Sequence, residues 1–180
     1  ESFRGASGLN FVNAIGYRAG RGSEIVNQVD MFGYEAGSGL LHSNQSLFMG
    51  ASAGTNASGI ASGVYIGNNA GLNSSGVGGG SLMANVMLGH DAARGTNHLV
   101  RSVGIGTSSL NLSSGDYIIA LVNFAGHLTS GTNETIMIGR NAGHHSRDLR
   151  QSIFIGDTAG FSASGEDGGF ANNDVFIGTR

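Results

Sequence analysis

SIFIGDTAG (residues 152–160) is one version of a phrase that the chain repeats. It returns as TIMIGRNAG (135–143), GVYIGNNAG (63–71), SLFMGASAG (46–54) and VDMFGYEAG (29–37). With the Gly after the apolar triplet as position zero, the copies fall at Gly16, Gly33, Gly50, Gly67, Gly89, Gly106, Gly139, Gly156 and Gly178. A degenerate copy, IALVNFAGH (119–127), puts Val122 at position zero. That makes ten copies at a base period of 17, with five extra residues in the intervals after Gly67 and Gly156.

A period of 17 is well below that of the helical repeats, and no long stretch shows 3.6-residue periodicity. Apolar triplets bounded by Gly, Asn and Ser read as very short strands. The reading is all-β: a short-coil parallel β-solenoid, or β-roll, stacked at the strand spacing into a rod of roughly 45–50 Å. Residues 1–10 form a lead-in and residues 11–180 the ten coils, with inserted loops at 72–85 and 161–174.

The columns of the repeat carry the packing expectation. Positions −1 (Ile66, Ile105, Ile138, Ile155) and −3 (Val64, Val103, Ile136, Ile153) share one side of the strand and read as the filling of a narrow coil. Position +3 is almost always Ala, which implies close approach to another backbone. Position +10, with Val26, Ile60, Val77, Leu99 and Leu149, suggests a second strand. Position zero marks a corner that needs Gly. Position −2 holds Met31, Phe48, Tyr65, Met87, Met137, Phe154 and Phe176. On the opposite side from −1 and −3, this stripe is expected to face outward. It is more than a soluble monomer usually exposes, so it reads as the interface of a homotrimer.

Composition narrows the function. The net charge is −3, and the nine basic residues, all Arg, are scattered, so no nucleic-acid partner is expected. Cys is absent, which removes disulfides and thiolate sites. There is no secretory leader pattern and no long apolar run, so no membrane insertion is expected. The chain opens at Glu1 rather than Met, which reads as a fragment or a processed product.

Candidate sites are few. The inserted loops carry Leu82 and Met83, then Glu166, Asp167 and Phe170, as possible receptor contacts, because solenoid insertions project from one face. His144, His145 and Asp148 resemble the start of a metal site, but adjacent His side chains diverge and a surface turn is the favoured reading. Gly78-Gly79-Gly80 lacks the Lys and helix of a phosphate loop. Asp157, Glu166 and Asp167 invite comparison with a glycosidase carboxylate pair, yet so thin a coil makes no deep cleft within one chain. Arg147, Asp148 and Arg150 could bridge chains. No catalytic residue, metal or cofactor is expected.

NAIGYRAG, VYIGNNAG, IMIGRNAG and IFIGDTAG resemble the repeats in the head domains of trimeric autotransporter adhesins of the YadA type. They are still more similar to the IGxxAG repeats of bacteriophage tail fibres. The resemblance runs from about Phe11 to Arg180. It implies a β-roll, three identical chains side by side, and attachment to a host-surface receptor or glycan. The 17-residue period, the recurrent AG and the absence of a coiled-coil stalk or membrane-anchoring barrel favour a virion tail fibre over a bacterial surface adhesin. A polysaccharide-cleaving tailspike is the enzymatic alternative.

Overall fold

The computed structural model describes residues 2–76, 82–164 and 171–179. These residues form eighteen strands that pair in parallel as one continuous ladder, with no helix among the described residues. Two strand rows run the length of the molecule. One is made of the apolar triplets, such as Val64–Ile66, Val86–Leu88 and Ile136–Ile138, and the other of shorter segments such as Ile60–Ala61 and Leu99–Val100. Glu24–Phe32 and Leu41–Met49 run through both rows without a break. Residue i faces i+17 in the regular coils, as in Leu47 with Val64 and Ile136 with Ile153. The parallel β-solenoid of period 17 is therefore the fold.

The segment after each position-zero Gly is a run of overlapping turns. Ala70 donates to the Gly67 carbonyl at 3.3 Å, Leu72 to Asn69 at 3.0 Å and Ser74 to Gly71 at 3.2 Å. The third residues of these turns, Asn69, Gly71 and Asn73, have φ of 58°, 69° and 55°. That is the type II pattern, which explains the Gly and Asn content of the repeat. The alternate amides leave the coil. Asn69 and Asn73 donate to Ala51 and Thr55 in the coil before, and Gly71 to Ala92 in the coil after. Turn and ladder together satisfy every amide from Asn69 to Ser75.

The core corrects the expected orientation of the triplet. Met31, Phe48, Tyr65, Met87, Met137 and Phe154 are fully buried inside their own chain, and Phe48 stacks on Tyr65 at 5.4 Å. They are not an outward stripe and cannot be an interface between chains. Phe176 continues the column, 5.2 Å from Phe154, and is half exposed in the last described rung. The −1 and −3 side chains face out instead. Alternation in a three-residue strand tells which side chains share a side, but not which side is inside.

The AG of the repeat decides it. A Cβ on the +4 Gly would come within 3.0 Å of the −2 side chain of its own coil: Gly37 against Met31, Gly54 against Phe48, Gly71 against Tyr65, Gly160 against Phe154. Ala at +3 and Gly at +4 thus leave space for one large side chain per rung. Position zero has a separate constraint, because a Cβ on Gly67 would strike the Gly89 backbone of the next coil. Val122 occupies that place once, at φ 86°.

One pair of coils breaks the pattern and restores it by exchange. Position −2 is Gly104 in one coil and Ala120 in the next. Leu110 stands where +4 is otherwise Gly or Ala, and it is fully buried. Its branches lie 3.3 Å from where a Gly104 Cβ would be and 2.8 Å from where a Gly126 Cβ would be. The bulk has moved from one strand of the coil to the other, and the interior stays filled.

Buried hydroxyls line the remaining wall. Ser23 donates to the Gly37 carbonyl at 2.7 Å and Ser146 to Gly160 at 2.8 Å, one coil on. Asn85 donates to Leu99 at 2.8 Å and accepts from the Ser102 amide at 2.9 Å. The buried Tyr65 phenol also bonds Asn85, and burial pushes its pKa up to about 12.

The insertions are narrower than expected. Ser75 bridges to Asn97, and Leu82–Met83 is a rung whose backbone pairs with Ile60, Ala61 and Val100. Leu82, not Val77, holds the rung opposite Ile60. Likewise Ser164 and Ala171–Asn172 belong to the ladder. Val77, Glu166, Asp167 and Phe170 lie outside the described residues.

Leu110→Gly is expected to cost about 3–5 kcal/mol by opening a cavity. Gly104→Met alone overpacks against Met87 and Leu110, and costs about 1–3 kcal/mol. The double variant rebuilds the common arrangement and should recover most of the loss, a coupling readable from a thermal or denaturant double-mutant cycle. Additive losses would refute the exchange.

Candidate functional site

Three outward surfaces carry chemistry, and the ladder builds each by placing equivalent residues one rung apart. The first is the face formed by positions −1 and −3. It carries ten apolar side chains in one column, from Ile15 to Ile177, and eight in the other, from Leu47 to Val175. None is buried: Met49 is 42% exposed and Ile105 40%, while Val64, Ile66, Val86 and Leu88 are partly covered by their neighbours. Only the first two coils interrupt it, where Asn13 donates to Asp30 at 2.7 Å. The outward apolar stripe is thus built from the residues expected in the interior, in place of the −2 column.

The second surface is a polar corner between the two strand rows. Position +12, which becomes +11 at Tyr117 in the coil of 16 residues, has a left-handed backbone in successive coils, including Gln28, Gln45, Arg101, Tyr117, Glu134 and Gln151. This kink makes the corner concave. A cleft of about 320 Å³ is lined by Gln28, Asp30, Gln45, Ser46, Leu47, Gly63 and Val64. Farther along, a cleft of about 610 Å³ is lined by Asn133, Glu134, Arg150, Gln151 and Asn173. Gln151 donates to Glu134 at 2.9 Å, and the Arg101 guanidinium bonds the Tyr117 hydroxyl. Of the predicted Arg147, Asp148 and Arg150 group, Arg150 lines this cleft, while Arg147 and Asp148 sit on the exposed third row of bridges and its turn.

The third is a histidine stack on the turn corner. His127 and His144 lie one coil apart with ring centroids at 4.8 Å and Nδ1 of the first 3.0 Å from Nε2 of the second. His144 also stacks on Phe161 at 5.1 Å, and His145 tilts against it at 4.4 Å. His144 and His145 therefore belong to an aromatic stack, and among the described residues no three His, Asp or Glu side chains converge on a metal position. Desolvation lowers the His127 pKa, and His145 adds to it. Desolvation, then His127 and His145, take His144 down to about 4.

Asp157 is held by Arg140 at 2.5 Å, chiefly through that hydrogen bond, which keeps its pKa below the ordinary carboxylate range. A carboxylate so held is a poor proton donor near neutral pH. Arg18 and Glu35 form a similar pair at 3.1 Å beside stacked Tyr17 and Tyr34.

Sequence reasoning missed the polar corner and the histidine stack, although both are columns of the repeat. Aligning positions +5 and +12 as closely as −2 would have found them. No family model, curated protein or solved structure matches the chain.

The histidine stack gives a pH dependence. Its folded-state pKa values lie below the ordinary 6.5, so the unfolded chain binds more protons as pH falls. Stability is unaffected above about pH 6.5 and declines as pH is lowered toward 4. His144→Phe keeps the stack on Phe161 and should flatten the fall of the thermal midpoint between pH 7 and 4. An unchanged slope would show that the stack is not its source.

Proposed function

We propose that the chain is a structural and adhesive segment of a phage tail fibre, in which three copies pack side by side and attach the virion to the bacterial host surface. The observation that carries this reading is the outward aliphatic face. Nine rung spacings of about 4.8 Å make it roughly 43 Å long, and two columns of side chains make it about 10 Å wide. An apolar area of roughly 400 Å² rivals the largest patch on a typical monomer. Neither column carries a charge beyond Asp30. A surface of that length and uniformity suits a copy of the same rod, whose columns repeat at the same spacing. The recurrent IGxxAG phrase supports the threefold arrangement and the attachment role through its resemblance to fibre repeats.

The reading assigns the chain a mechanical role and no catalytic step. A rod whose turns and strands are both tied to neighbouring coils resists local opening, and its outer columns present repeated side chains to a surface. Packing through positions −1 and −3 leaves the polar corner at the rim, where interfaces are usually wet and polar.

Light scattering of the purified chain should give the mass of three chains. Ile66→Asp with Ile105→Asp, both outward-facing, should reduce the mass to one chain while the circular dichroism of the strands is kept. A wild-type mass of one chain would end the assembly reading, and a mass of two would replace the threefold axis.

A further inference from the structure

We infer that the polar corner is a binding groove for an uncharged, polyhydroxylated chain, a glycan strand lying along the solenoid axis. The inference deepens the attachment role proposed above and rests on it.

Arg101, Tyr117, Glu134, Gln151 and Asn173 occupy one column in successive coils, about 4.8 Å apart. All five are exposed. Arg101 lies over the Tyr117 ring at 5.4 Å, and Gln151 is bonded to Glu134 at 2.9 Å, so neighbouring side chains hold one another in place. The cleft of about 610 Å³ beside them is walled by amides, a carboxylate and a guanidinium. Donors and acceptors therefore stand side by side along the groove.

Three other occupants fit poorly. An extended peptide binds by adding a strand, but the backbone here is already used: Tyr117 donates to Val100 at 2.8 Å, Glu134 to Asp116 at 3.0 Å and Gln151 to Asn133 at 3.1 Å. An amphipathic helix needs an apolar groove, and this one is lined by polar side chains. A polyanion needs a single sign of charge, whereas Arg101 and Glu134 oppose one another. Hydroxyls, which donate and accept at once, match a wall that offers both. A chain of sugar rings also repeats, so several weak contacts act together along one rod, and again across the copies of an assembly.

The test is native gel electrophoresis of the full chain, in its solution oligomeric state, through gels containing a neutral polysaccharide: dextran, mannan or a linear β-glucan. A gel containing heparin serves as the polyanion. Retardation by at least one neutral glycan is expected. Glu134→Ala and Gln151→Ala should each weaken it at least fivefold, with melting temperature and mass unchanged. Tyr117→Ala should weaken it further, and a variant of an exposed residue on the turn side, such as Asn68→Ala, should leave the retardation intact. No retardation by any of the three glycans, retardation untouched by the groove variants, or binding to heparin alone would each overturn the inference. Attachment of labelled protein to intact bacterial cells separates the two levels. Cell attachment unaffected by the groove variants removes the groove and keeps the adhesive role; no attachment to cells of any tested host removes that role itself.

Discussion

Amides in the turn from Asn69 to Ser75 donate alternately within their own coil and to a neighbour, and this alternation locks each coil onto the next at the spacing of a strand. A ladder that continues through the turns leaves no part of the 17-residue repeat free to drift. The described residues of the regular coils therefore sit on their equivalents one coil away, and whatever a column contains is presented as a line. The aliphatic face, the polar corner and the His127–His144–Phe161 stack all arise from this one constraint.

The same constraint sets the interior. At about 4.8 Å per rung, each coil has a thin slice of volume to fill. One large side chain at −2, backed by Ala at +3 and Gly at +4, fills it. Where Gly104 and Ala120 fall short, Leu110 enters from the other wall. Close packing tolerates this exchange because total volume is conserved, while either half alone leaves a void or a clash. The left-handed residues of the turns are the cost of a coil this small, and the rung-to-rung hydrogen bonds offset it.

Exposure of the −1 and −3 columns turns a packing detail into a functional argument. Had the large −2 residues faced outward, the proposed assembly would have rested on irregular aromatic and thioether side chains. With mostly branched aliphatic residues outside, the face is regular along its length, and a polar column lies two residues away at its edge. The surfaces proposed for adhesion and for assembly are then neighbours on one rod, each extended by adding coils rather than by building a pocket.

The strict phrase, the short period and the lack of helical periodicity made the parallel solenoid legible in the sequence, because a 17-residue unit of apolar triplets and Gly-rich turns has few other ways to satisfy its backbone. The columns themselves were legible too. Which column faces inward was not: Phe48 and Met49 alternate sides in any strand, and only the room left by Gly54 opposite Phe48 fixes the inside. That information sits six residues away, across a turn whose path becomes definite only in the folded coil. The polar corner was hidden for a related reason, since the left-handed kink at Glu134 and Gln151 that makes it concave exists only in the closed coil. Local pattern determined the repeat unit and its spacing; closure of the coil around a limited volume decided what the unit buries and what it shows.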